Sequence, residues 1–139
     1  MKSMNDYDYM HRAIKLSKKS SEHSGCGVVL VQDGRVIAEA FNSQRADNIA
    51  VYHAEVKAII AANKATGSRK LDNTTAYCSC EPCAMCLTAL SYAKVERIVF
   101  AKTMLDVFPD DPQSQLDSQA YVRGLNFVPK LEQIEQAHE

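Results

Sequence analysis

Two short motifs, His53-Ala54-Glu55 and, thirty residues later, Pro82-Cys83-Ala84-Met85-Cys86, constrain this chain more than any other feature. They supply one imidazole and two thiols, all zinc-ligand types, and one carboxylate that need not be a ligand. If the three donors serve one ion, the segments that carry them must end at the same place. Three protein ligands leave a fourth tetrahedral position for water, the arrangement of a catalytic rather than a closed structural zinc site. A glutamate beside such a water can move protons.

The pattern around the motifs says how they meet. Apolar positions Tyr9, Met10, Ala13, Ile14 and Leu16 fall at helical spacing, predicting an amphipathic helix over 6–20 with Asn5 or Asp6 as its cap. Residues Cys26 to Gln32 read as an apolar strand, Asp33-Gly34 as a two-residue hairpin turn, and Arg35 to Asn42 as the antiparallel return. A polar loop over 43–52 leads to a second helix from His53 to about Ala65, stopped near Gly67. Thr74 to Ser79 predicts a third strand. Pro82 suits the first turn of a helix running from Cys83 to Ala93, and Val95 to Ala101 a fourth strand.

Strand, helix, strand, helix, strand after a hairpin predicts a three-layer α/β/α fold with helices on both faces of the sheet. The last third is less distinct: Gln113 to Arg123 reads as helical, Asn126 to Val128 as a fifth strand, and 130–138 as a polar terminal helix or frayed tail.

On this reading His53 and Glu55 stand at one helix start and Cys83 and Cys86 at another, so two helix N-termini converge on the metal. Exposed N–H groups and the positive dipole end favour thiolate over thiol there. Two blander readings compete. Cys83-x-x-Cys86 alone would fit a redox pair. A closed structural site would need Cys80 as fourth ligand, but Cys80 precedes Pro82 and falls off the helix face. Cys26 and Cys78, in apolar strands, read as small core residues.

Composition narrows the partners. At 139 residues, 46% hydrophobic and 24% charged, the chain is expected to form one globular domain (1–139). No apolar run approaches the roughly 20 residues of a membrane span, and the N-terminal residues lack an apolar signal core. Four cysteines within nine residues fit metal binding in a reducing compartment, with the cytoplasm as the expected location. A net charge of −1 argues for a small neutral substrate over a phosphate backbone.

The His-x-Glu and Pro-Cys-x-x-Cys pair is the signature of zinc-dependent nucleobase and nucleoside deaminases. On it the chain resembles the cytidine deaminase superfamily from about Cys26 to Ala101. The resemblance implies a mixed five-stranded sheet flanked by helices and one zinc per chain with a bound water. It also implies hydrolytic release of ammonia from an aminated ring, with Glu55 shuttling the protons. Backbone groups at Ala54 and Cys83 would meet the reacting edge of the substrate. Asn42, eleven residues before His53, stands where relatives carry a base-binding asparagine.

The run Tyr77 to Leu87 is most similar to bacterial guanine deaminases, while tRNA adenosine deaminases share its Glu-Pro-Cys-Ala-Met-Cys core. In guanine deaminases a C-terminal aspartate closes over the base; Asp110 or Asp111 is the counterpart here, Asp111 preferred. The C-terminal segment departs from that pattern by being shorter and lacking an aromatic-rich end. Guanine is the expected substrate. Adenosine in tRNA, cytosine and cytidine stay open, as does a non-enzymatic zinc protein. The resemblance further implies a homodimer.

Overall fold

The computed structural model describes residues 4–134. Five strands form one mixed sheet in the order β2-β1-β3-β4-β5: β1 (Gly27–Gln32), β2 (Arg35–Phe41), β3 (Thr74–Cys80), β4 (Arg97–Lys102) and β5 (Lys130–Gln133). β1 pairs antiparallel with β2 and β3, whereas β3, β4 and β5 run parallel. The helices are α1 (Asp6–Ser17), α2 (Gln44–Asp47), α3 (Ala54–Thr66), α4 (Ala84–Tyr92), α5 (Met104–Val107) and α6 (Ser118–Arg123). A 3₁₀ turn spans Pro112–Gln115.

The three layers follow from the strict alternation of side chains along the central strands. Val28, Leu30, Ala76, Cys78, Ile98 and Phe100 face a core shared with Ala54, Ala58 and Ala62 of α3 and Leu87 and Leu90 of α4. Val29, Val31, Tyr77, Val99 and Ala101 face the opposite way, onto Tyr9, Met10, Ala13, Ile14 and Leu16 of α1. Both faces are covered, which is why these strands read as unbroken apolar runs.

Local signals explain most boundaries. Asn5 caps α1, its side chain accepting from the Asp8 N–H while Asp8 accepts from the Asn5 N–H. The helix stops at Ser17, three residues short of the expected end. The chain then returns so close to α1 that a Cβ on Gly27 would lie 2.1 Å from the Ala13 carbonyl oxygen. Asp33 and Gly34 both have positive φ, the requirement of a tight hairpin turn. Gly67 ends α3 in the left-handed region.

Several sequence expectations are corrected. The 43–52 loop contains the short helix α2. Pro82 lies outside α4, because β3 continues through Cys80 and Cys83 is the extended cap residue. The helix expected over 113–123 is two pieces, since Asp111 caps the 3₁₀ turn and Asp117 caps α6 separately. The fifth strand is Lys130–Gln133, not 126–128, and it replaces the helix or tail expected from residue 130. Pro129 has no N–H to give a ladder, and an edge strand spelled Lys-Leu-Glu-Gln carries little apolar signal. Residues 135–138 of that expectation lie outside the described residues.

Arg97 ties the far edge together. Its guanidinium donates to both Asp6 carboxylate oxygens (2.9 and 2.7 Å) and to Glu132 (2.5 Å), joining α1, β4 and β5. The bonds from Arg97 hold the Asp6 carboxyl below its ordinary value of 3.8, with further help from the Tyr77 hydroxyl. A depressed folded-state value gives stability that is present above the ordinary value and lost as pH falls through the folded one. Arg97→Ala is therefore expected to cost about 1–3 kcal/mol at neutral pH, discounted for partial exposure. It should also flatten the acid side of the stability profile, as measured by urea unfolding from about pH 5 downward.

Candidate active site

The site lies where β3 and β4 end and α3 and α4 begin. His53 caps α3 in extended conformation, and Cys83 does the same for α4, with Cys86 three residues inside. These turns aim the three side chains at one point. His53 Nδ1 is 3.6 Å from Cys83 Sγ and 3.6 Å from Cys86 Sγ, and the ligand atoms all lie within 4.8 Å of one another. A tetrahedral zinc with bonds near 2.3 Å to sulfur and near 2.05 Å to nitrogen separates those donors by about 3.6 Å. The donor set and its spacing thus fit zinc.

The electrostatics suit metal binding. A hydrogen bond from the Cys86 thiol, helped by His53, holds Cys83 down at about 4, so its thiolate is available at neutral pH. The hydrogen bond to the Cys83 sulfur, followed by burial, pushes the Cys86 thiol up.

Glu55, one residue into α3 from Ala54, is only 5% exposed. Burial is the chief cause that raises its carboxyl to about 7. Neither Lys nor Arg pairs with it among the described ion pairs. Such a group exchanges protons readily near neutrality.

A cavity of about 240 Å³ opens over this cluster. The structure brings Asn42, His53, Ala54, Glu55, Cys83 and Asp111 to its wall, while Asp110 stands exposed in the preceding turn and is not among its lining residues. Asn42 is buried with both ends of its amide engaged: Oδ1 accepts from the Cys26 N–H (2.9 Å), and Nδ2 donates to the Ser24 carbonyl (3.1 Å). Each end keeps one further site. Asp111 accepts from the Gln113 N–H through Oδ1, which leaves Oδ2 free of that bond.

Sequence reasoning missed part of this wall. Cys26, expected in the core, packs against it just before β1 but also lines the cavity with Cys80, whereas Cys78 is a core residue as expected. Gln44, Glu81, Met104, Gln113 and Ser114 also line it. Glu81 belongs to the Glu-Pro-Cys-Ala-Met-Cys run just after β3, whereas no motif marks the other four, which arrive because the segments after β2 and β4 fold over the ligand cluster. Gln44 Oε1 and Ser114 Oγ are buried without a hydrogen-bond partner, a costly state unless something else enters the cavity.

Glu81 fastens the covering segment. One carboxylate oxygen accepts from the Met104 N–H (2.8 Å) and the other from the Ser118 hydroxyl (2.5 Å). Glu81→Ala removes both acceptors at once. It is expected to cost about 2–3 kcal/mol, seen as a lower urea midpoint at unchanged slope, and Glu81→Gln, which keeps one acceptor, less.

Comparison with known proteins agrees with this geometry. The chain is 40% identical over 94 residues to the tRNA-specific adenosine deaminase of Bacillus subtilis, a match covering 66% of this chain and 58% of that protein. It is 37% identical over 107 residues to the guanine deaminase of the same organism, covering 74% of this chain and 68% of that one. The chain thus spans about three fifths to two thirds of the length of these curated relatives. A structure from a study of A-to-I editing by tRNA:A34 deaminases superimposes with a TM-score of 0.72 at 27% identity, covering 91% of this chain and 96% of the other. Residues 3–102, which hold both motifs, match the cytidine and deoxycytidylate deaminase zinc-binding region, and the chain belongs to that family.

Proposed function

We propose that this chain is a hydrolytic deaminase that replaces an exocyclic amine on a nucleobase or nucleoside with oxygen and releases ammonia. The observation that carries the reading is the buried Glu55, two residues from His53, in the wall of a cavity that also reaches Cys83. A zinc held by His53, Cys83 and Cys86 would supply the Lewis acidity that makes water nucleophilic at neutral pH. Glu55 takes the first proton of the attacking water and returns it to the ring nitrogen beside the attacked carbon. It then carries the water's second proton, from the hydroxyl now on that carbon, to the leaving amine. A C–O bond forms, the C–N bond breaks, and the amine leaves as ammonia. Asn42 and the backbone at Ala54 orient the ring.

Guanine is the substrate we favour. Its N1–H and 2-amino group are donors on one edge, and Asp111 offers a carboxylate to that edge from the cavity wall. A volume of about 240 Å³ suits one base better than a drug-sized ligand. Adenosine in tRNA is the second reading, supported by the 40% identity to the Bacillus subtilis enzyme of that name.

Among the described residues no helix is long and apolar enough to cross a membrane. Five free cysteines fit a reducing compartment, and we take the cytoplasm as the setting. We further propose a homodimer formed through the α3 and α4 layer, where Ile60 and Tyr92 stand exposed.

Ammonia release by the zinc-loaded protein, measured in parallel on guanine, cytosine, cytidine, adenosine and a tRNA anticodon stem-loop, tests the reading. Turnover of guanine alone is the expected result. Turnover only of the stem-loop overturns the substrate and keeps the chemistry. Silence on all five, with zinc bound, counts against both.

A further inference from the structure

Cys26 and Cys80 form a second sulfur pair in the cavity wall, apart from the metal ligands. The antiparallel register of β1 and β3 sets Val28 opposite Cys78. Carried two residues further, it brings Cys26 opposite Cys80. Opposed residues in such a ladder have Cα atoms about 4.5–5.5 Å apart, within the roughly 4.4–6.8 Å that a disulfide spans. The side chains use that closeness: Cys26 Sγ points at Cys80 Sγ from 2.6 Å. Cys80 is buried and Cys26 half-buried, yet both line the cavity, so a small reagent entering it meets them.

Neither sulfur belongs to the metal cluster, which consists of His53, Cys83 and Cys86. The surroundings hold the pair in register. Asn42 grips the 24–26 segment at the Ser24 carbonyl and the Cys26 N–H, the Ser79 hydroxyl accepts from the Gly27 N–H, and the Glu81 N–H donates to the Lys102 carbonyl. Closing a bond between them asks little of the backbone.

We propose that Cys26 and Cys80 are a reversible oxidation site, a dithiol that closes to a disulfide across the cavity wall when a low-molecular-weight disulfide enters. One cysteine, as thiolate, attacks the reagent; its S–S bond breaks, a mixed disulfide forms and one thiolate leaves. The second cysteine then attacks the first one's sulfur and displaces the other half of the reagent. The protein loses two electrons and two protons, and the reagent becomes two thiols. Zinc holds Cys83 and Cys86 out of this exchange, so the pair oxidises without loss of the metal. The site stands whatever ring the cavity takes.

The test treats the zinc-loaded protein with 2-hydroxyethyl disulfide, a reagent small enough for the cavity, blocks the remaining thiols, and maps peptides by mass alongside zinc content. The expected result is one cross-linked peptide pair joining Cys26 to Cys80, unchanged zinc, and full reversal by dithiothreitol. Cys26→Ser and Cys80→Ser should each abolish that cross-link, and the wild-type map stands alone if either variant fails to fold. A cross-link through Cys83 or Cys86 with release of zinc overturns the proposal. So does a stable mixed disulfide on Cys26 or Cys80, or no consumption of thiols.

Discussion

Glu55→Gln is expected to bind one zinc per chain and to lose at least 10²–10⁴-fold in turnover, roughly the contribution of a positioned acid–base group. Glutamine keeps the size of the side chain, so the cavity and the ligand cluster keep their shape. What disappears is a group, buried and raised to about 7, that can both take and return a proton. Metal content and ammonia release measured on one preparation separate the two effects. Substantial turnover in a zinc-replete variant would remove Glu55 from the proton path. Loss of the metal along with turnover would mark it as structural support for the cluster.

Cys86→Ser should abolish both stoichiometric zinc and turnover, because it takes one of the three donors clustered among the described residues. The loss should reach stability as well. A metal held there would join the first turns of α3 and α4, adding a link to the direct packing of the two helices. A ligand held a thousandfold above its Kd stabilises by about 4 kcal/mol, so the variant, or wild type stripped by a chelator, should melt several degrees lower. Cys80→Ser is the matched control. Its sulfur faces Cys26, and this variant should retain zinc in full. Metal analysis and thermal unfolding of both variants check the contrast, and loss of zinc from Cys80→Ser would reopen the closed four-ligand site.

What was legible from the residues follows a physical divide. His53, Glu55, Cys83 and Cys86 announce themselves because a metal and a proton shuttle accept few residue types at few spacings. The central strands are readable because burial on both faces leaves them apolar throughout, and the Asp33-Gly34 turn because positive φ at both positions admits few residues. Legibility fails where context decides. The break between the 3₁₀ turn and α6 depends on which of two nearby aspartates caps what. β5 is held by Arg97 and by its parallel neighbour more than by any pattern of its own. Cys26 packs against the core, as its sequence neighbours suggest, but its sulfur also faces Cys80 in the cavity wall, which no local pattern shows. Gln44 and Ser114 carry no mark at all, since their role is to fill a wall whose shape comes from distant elements.

The parallel pairing of β3 and β4 has a consequence for how such a protein can change. Both strands discharge at the same edge, one into the turn that carries Cys83 and Cys86, the next into the segment from Thr103 to Ser118. Reactive chemistry and the outer wall therefore occupy separate stretches of chain that meet in space, with Glu81 bonded near both ends of the second. Insertions, deletions or grafts in the second stretch can remould what the cavity admits while the ligand geometry stands still. In engineering terms the molecule is a fixed reactor with an exchangeable faceplate, and Glu81 is the bolt.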